Sequence, residues 1–135
     1  MKYWLMKSEP NCYSWADLIK DKKTGWDGVR NYQARNNMKA MELGDLAFLY
    51  HSINGKEIVG IMKISKLYHP DHTDATGKFG MVEVKPVKAL KKFVNLAEIK
   101  ANPKLKEIAL IKQSRLSVCP IRKTEWDIIC KMAEA

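Results

Sequence analysis

Cysteine is scarce in this chain, with three residues at Cys12, Cys119 and Cys130 and no C-x-x-C pair. A disulfide framework or thiolate metal centre needs paired, closely spaced cysteines, so these three read as ordinary reduced thiols. Histidine is equally sparse. His69 and His72 share a polar loop with Asp71 and Asp74, a set that leaves a metal reading open but is more simply read as exposed side chains. The chain has no glycine-rich phosphate loop, no H-E-x-x-H, no H-x-E joined to C-x-x-C and no G-x-S-x-G, which excludes the enzyme classes built on those motifs. No stretch approaches the ~20 consecutive apolar residues of a membrane span. The amino end enters directly as Met-Lys-Tyr-Trp-Leu-Met-Lys-Ser-Glu-Pro, without the pattern of a signal peptide. The expectation is a cytoplasmic protein that works away from the membrane, without a cofactor and without a metal.

What the chain does have is enough apolar material for a core. A hydrophobic fraction of 46% and four tryptophans can offset the entropy of ordering the backbone. A length of 135 residues suits one domain spanning 1–135. The net charge is +9, and the excess sits in the second half: residues 1–82 hold twelve basic and nine acidic side chains, residues 83–135 twelve and six. Such a surface concentrates polyanions around itself, which favours nucleic acid as a partner without reading any sequence.

The pattern along the chain is mixed α and β. Tyr3 to Lys7 reads as a strand closed by Glu9-Pro10, and Ser14 as the cap of a short helix. Gly25-Trp26-Asp27-Gly28 breaks the pattern, and Asn31 to Met41 reads as a second helix with Tyr32, Met38 and Met41 inward. Two β-rich runs, 46–52 and 57–67, flank Asn54-Gly55 and predict a hairpin with a tight primed turn. The run Ile58-Val59-Gly60-Ile61-Met62 implies a strand covered on both sides, as barrel-like closure would provide, with Gly60 marking a bulge or close backbone approach. Residues 69–80 read as a surface loop, and Pro86 hints at a sheet edge or a strand end. Capping boxes are expected at Asn95-Leu96-Ala97-Glu98 and Thr124-Glu125-Trp126-Asp127.

Four islands mix polar, cationic and aromatic residues: Lys7-Ser8-Glu9-Pro10, the run from Trp26 to Asn36, Tyr50-His51-Ser52, and Arg115-Leu116-Ser117-Val118. A pocket for a flat heterocycle needs π faces for stacking, donors and acceptors for the ring edge, and cations for phosphate. The islands supply all three kinds. The same residues also admit a plainly structural reading, in which Trp26 and Tyr32 are core, Asn31 and Ser52 are caps, and Arg30, Arg35 and Arg115 sit in salt bridges.

These blocks, together with Gly44-Asp45 and Ile58-Val59-Gly60, resemble the EVE domain family, related to the PUA-like fold of YTH and ASCH domains, over nearly the whole chain. The resemblance implies an α+β fold, a PUA-like pseudo-β-barrel of about five or six strands wrapped by helices. It also implies a non-catalytic reader that takes a modified base, such as methylated or hydroxymethylated cytosine in DNA or a modified RNA base, flipped into a pocket. The site it implies comprises Lys7, Ser8, Trp26, Arg30, Asn31, Tyr32, Gln33, Arg35, Asn36, Tyr50, His51, Ser52, Arg115 and Ser117. Trp26 with Tyr32 or Tyr50 would sandwich the base. Asn31, Ser8 and Ser52 would bond its edge, and Arg30, Arg35, Lys7 and Arg115 would hold phosphate. One alternative is a small-ligand or protein-interaction module of the same fold; another is an enzyme acting on a modified base with His51 or Glu9 as general base.

Overall fold

The computed structural model describes residues 1–134. Its first strand, β1 (Tyr3–Ser8), buries Trp4, Leu5 and Met6 in succession, because it lies between two neighbours within the sheet and is covered on both faces. Next come α1 (Trp15–Asp21), the two-residue β2 (Thr24–Gly25), α2 (Tyr32–Lys39), β3 (Leu46–His51), β4 (Glu57–Pro70) and β5 (Gly80–Asn95). The chain ends with α3 (Leu96–Ala101), a 3-10 turn (Pro103–Leu105), α4 (Ala109–Lys112), β6 (Val118–Ile121) and α5 (Lys123–Met132).

The six strands form one sheet in the order β2-β5-β4-β3-β1-β6. β1 runs parallel to β3 and antiparallel to β6, and the remaining neighbours are antiparallel. This is the expected α+β class with six strands, but β2 and β6 do not pair, so the sheet is not closed into a barrel. Its length comes from β4 and β5, whose ladder carries four register shifts; each bulge adds local bend and twist. Ile58 to Met62 are all buried, as the continuous apolar run predicts. Gly60 allows the close approach foreseen there: a Cβ at that position would lie 2.4 Å from the Trp15 ring.

Local signals hold in several places and shift in others. Ser14 caps α1 reciprocally, its Oγ accepting from Asp17 N at 3.1 Å while the Asp17 carboxylate accepts from Ser14 N at 2.9 Å. Asn95 and Glu98 form the expected box. The box at Thr124 does not form: α5 starts at Lys123, and Glu125 reaches back three residues to accept from the backbone and guanidinium of Arg122 at 3.0 and 2.8 Å. α2 stops at Lys39, and Tyr32 is 55% exposed, not inward. Its buried face is set by Ala34 and Met38; two residues from Ala34, at ~100° per residue, Tyr32 falls on the opposite side.

The hairpin forms without the tight turn. Five residues, 52–56, connect β3 to β4, and positive φ falls on Ile53 (66°), Gly55 (90°) and Lys56 (47°), not on Asn54. The cause lies outside the turn: the register shift between Leu49 and Tyr50 pairs His51 with Glu57 and not with Ile58, so the ladder no longer centres on Asn54-Gly55. β4 also runs on to Pro70, so the loop proper is 71–79. Pro86 lies inside β5 and does not end it. β2 covers only Glu83 and Val84, and the ladder with β4 is irregular at Pro86, so a residue without N–H is tolerated. Among the described residues, no helix is long and apolar enough to cross a membrane.

Candidate nucleic-acid interface

The carboxyl end of β1, the turn after it and the β2 segment enclose a hollow of about 250 Å³. Lys7 and Ser8 supply one wall, and Thr24, Gly25, Trp26 and Asp27 another. Cys12 and Tyr13, between β1 and α1, complete it. Three of the expected residues, Lys7, Ser8 and Trp26, therefore share one cavity. Trp26 is fixed there by its backbone N–H, which donates to Val82 O at 2.7 Å, and its indole is only 8% exposed. It belongs to the core and lines the cavity at once.

The groups around this hollow are held by neighbours. Lys7 N donates to Ser117 O at 2.9 Å, and Lys7 Nζ to Ser114 O at 2.8 Å. Desolvation pulls the Lys7 ammonium below its ordinary value, with a smaller opposing influence from Cys119. Ser8 Oγ donates to Tyr13 O at 2.7 Å, and the Tyr13 hydroxyl donates to Asp21 at 2.8 Å. Burial first, with the nearby Asp21 carboxylate adding to it, pushes the Tyr13 hydroxyl up to about 12, so it remains a donor. Cys12 donates to Glu9, whose carboxylate pushes its thiol up; a protonated thiol is a poor nucleophile. Asp27 makes no side-chain hydrogen bond or ion pair among the described residues, leaving an acceptor at the edge of the hollow.

The other expected residues go elsewhere. Asn31, Gln33 and Arg115 line a second hollow with Gln113, Ser114 and Leu116, about 300 Å³ in volume. Asn31 is the α2 cap, its Oδ1 accepting from Ala34 N at 2.9 Å. Arg30 serves structure: it donates to Asp71 at 3.2 Å and to Thr73 at 2.9 Å. Tyr32 packs on Phe79 with ring centroids 5.1 Å apart, and the Arg35 guanidinium lies 4.8 Å over the Tyr32 ring. Asn36 Oδ1 accepts from Arg35. Tyr50 is 4% exposed, within the core. His51 Nε2 accepts from Trp15 N at 3.1 Å, and Ser52 is joined to Ser8 through the backbone.

The expected sandwich of Trp26 with Tyr32 or Tyr50 is therefore not built. Tyr32 is on the outer face of α2, and Tyr50 is enclosed by the sheet; Tyr13 is the second aromatic residue in the wall of the Trp26 hollow. Asp27 stood inside a recognised island, but Tyr13 gave no signal beside the cap at Ser14. Thr24 and Gly25 reach the wall because β2 pairs with β5, a long-range contact that local pattern does not encode, and Cys12 comes from the turn after β1. Among the described residues, no three histidine, cysteine, aspartate or glutamate side chains gather as metal ligands.

An α+β domain with this sheet order, a long β4–β5 ladder and short flanking helices is PUA-like in fold. The EVE domain model matches residues 2–132, and the chain belongs to the EVE domain family. Human thymocyte nuclear protein 1 is 40% identical over an alignment that covers 98% of this chain and 74% of that protein. The crystal structure of human THYN1 in complex with 5-methylcytosine-containing DNA superposes with a TM-score of 0.93 at 39% identity, covering 100% of this chain and 99% of that one. A protein from Rhodopseudomonas palustris solved by NMR gives a TM-score of 0.94 at 49% identity, over 99% and 94% of the two chains. An ASCH protein from Zymomonas mobilis, at 12% identity and a TM-score of 0.59 over 97% and 95%, shares the fold alone.

Proposed function

We propose that this domain is a non-catalytic reader of modified DNA, taking one methylated cytosine base into the hollow beside Trp26. The observation that carries the reading is that Lys7, Ser8 and Trp26, drawn from separate stretches of sequence, wall one cavity together with Tyr13 and Asp27. Its volume of about 250 Å³ is below the ~300–1,000 Å³ of ordinary ligand pockets and suits a single ring rather than a larger molecule. Trp26 and Tyr13 offer aromatic faces. Asp27 offers an acceptor suited to the exocyclic amino group of cytosine, and Lys7 offers a donor for its carbonyl oxygen. The likeness to a relative crystallised with 5-methylcytosine DNA agrees with this chemistry.

Extruding a base from a duplex costs a few kcal/mol, which stacking worth ~1–3 kcal/mol per base offsets only with help from phosphate contacts. Single-stranded targets should therefore bind more easily than duplexes. A methyl group adds ~1–3 kcal/mol at most, so discrimination against plain cytosine is modest. Two features support a reader over an enzyme. The thiol at the hollow is held protonated, and His51, the candidate base, has Nε2 occupied by the Trp15 N–H.

The test is a titration of matched single-stranded oligonucleotides carrying cytosine or 5-methylcytosine, followed by tryptophan fluorescence and by amide shifts. Saturable binding, tighter for the methylated strand and perturbing residues 7–8, 13 and 26–27, is expected. Equal affinity for both strands, or shifts remote from this hollow, would overturn the reading. Mass spectrometry of the recovered oligonucleotide should show no altered base.

A further inference from the structure

The second hollow carries an inference that rests on the base-reading function and extends it. Its side-chain acceptors are largely consumed: Asn31 Oδ1 by Ala34 N at 2.9 Å, and Gln113 Oε1 by Gln33 Nε2 at 2.6 Å. The Ser114 carbonyl is taken by Lys7 Nζ at 2.8 Å. What remains are mostly donors, namely the amide nitrogens of Asn31 and Gln113 and the guanidinium of Arg115, with the Ser114 hydroxyl able to donate or accept and Gln33 Oε1 left as an acceptor. No carboxylate lines the hollow, and Arg115 has no hydrogen bond or ion pair among the described residues.

A concave site whose spare groups are donors and one cation selects an anion, since a neutral polar ligand would find little to accept its own protons. Its position matters as much. Lys7 lines the Trp26 hollow while its ammonium bonds the Ser114 carbonyl of the second, so the two hollows are neighbours on either side of that side chain. Arg30 and Arg35, the other cations expected to meet phosphate, are occupied by Asp71 and Thr73 and by Tyr32 and Asn36.

We propose that the hollow formed by Asn31, Gln33, Gln113, Ser114 and Arg115 holds the phosphodiester group next to the base seated beside Trp26, so that the ligand is a nucleotide within a strand and not a free nucleoside. Two substitutions separate this from the base cavity. Arg115→Gln removes the unpaired cation of an exposed side chain. Gln113→Glu keeps an oxygen to accept from Gln33 while turning the spare amide donor into a negative charge.

The experiment measures the affinity of wild type and both variants for 5-methylcytidine, its 3′- and 5′-monophosphates, a short 5-methylcytosine oligonucleotide and inorganic phosphate, at several salt concentrations. Expected are a roughly tenfold weaker oligonucleotide affinity in each variant, a salt slope shallower by about 1 for Arg115→Gln, and unchanged nucleoside binding. Preference for one monophosphate over the other would support the proposal and identify the side on which the strand leaves. Oligonucleotide affinity equal to wild type would overturn it and leave base reading intact. An equal loss for nucleoside and oligonucleotide would also overturn it. Should the wild type bind neither nucleoside nor oligonucleotide, base reading fails and, with it, the phosphodiester assignment; phosphate shifts at Gln33, Gln113 and Arg115 would then show whether an anion site alone remains.

Discussion

The backbone N–H of Gly28 donates to the carboxylate of Asp71 at 2.9 Å, joining the segment after β2 to the loop between β4 and β5. The same carboxylate accepts from Arg30 and from the backbone and hydroxyl of Thr73, and its side chain is fully buried. Gly28 has φ of 77°, a left-handed turn that glycine adopts freely. It follows Trp26 and Asp27 directly, so Asp71 fixes the wall of the first hollow from behind.

Replacing Asp71 by Ala should cost about 3 kcal/mol, because the half-exposed Arg30 guanidinium, two backbone N–H groups and the Thr73 hydroxyl lose one buried acceptor together. Thr73→Ala removes one partner and should cost ~1 kcal/mol. Urea unfolding of the two variants checks the ratio. Burial alone would raise the Asp71 carboxyl, but the bonds from Thr73, Gly28 and Arg30 outweigh it and hold it down to about 2. The folded value lies below the ~3.9 of an unfolded aspartate. The stabilisation is therefore present above about pH 4 and lost as pH falls from there towards 2. Asp71→Asn should lack that part of the acid sensitivity.

Trp26→Ala should destabilise the domain by ~3–5 kcal/mol, since an indole that is 8% exposed leaves a cavity behind. Loss of binding in that variant would not separate stacking from unfolding. Trp26→Phe keeps an aromatic face and most of the packing; it should melt within a few degrees of wild type while binding the methylated oligonucleotide more weakly. Thermal melts run beside the binding titration check both halves. A Phe variant with wild-type affinity would show that the indole contributes no stacking beyond that of a phenyl ring.

Local chemistry was well encoded in the sequence, and long-range placement much less so. Ser14 and Asn95 announce their caps by spacing alone, and Ile58 to Met62 announce a strand covered on both faces by lacking any polar alternation. Of the first island, Lys7 and Ser8 share one hollow with Trp26. Tyr32 and Tyr50 carry the same chemistry as Tyr13, yet one faces out of α2 and the other into the core; only the packing of α2 and β3 distinguishes them. Asn54-Gly55 is a strong turn signal that loses to the register shift between Leu49 and Tyr50, which the local sequence does not announce. Arg30 looks like a phosphate ligand until Asp71, 41 residues away, is placed beside it.

His51 is expected to make folding pH-dependent near neutrality. Its Nε2 accepts from Trp15 N, so this nitrogen must stay unprotonated, and burial pulls its pKa below the ordinary value while Glu57 opposes weakly. With the folded value below the unfolded ~6.5, the unfolded chain takes up the proton first. Stability is then full above about pH 6.5 and declines as pH falls below it. Melting temperatures between pH 8 and 5 should drop for wild type, and His51→Gln, which offers an oxygen to the same N–H, should show a flatter profile. Equal slopes in the two proteins would mean that protonation does not disturb the Trp15 contact.

Gly60 links the sheet to the first hollow through Trp15. A Cβ there would come within 2.4, 2.5 and 2.7 Å of three Trp15 ring atoms, closer than packed atoms approach, so the ring must move. Trp15 resists on its other side, because its N–H is held by His51 and it opens α1 directly after the Ser14 cap. Displacement should pass to Tyr13 and Cys12, two and three residues upstream in the wall of the hollow. Gly60→Ala should therefore cost ~1–3 kcal/mol as an overpacked site and weaken oligonucleotide binding. Combining it with Trp15→Leu, which shortens the obstructing side chain, should cost less than the sum of the two single changes. Strict additivity in the unfolding free energies would place the strain somewhere other than the Gly60–Trp15 contact.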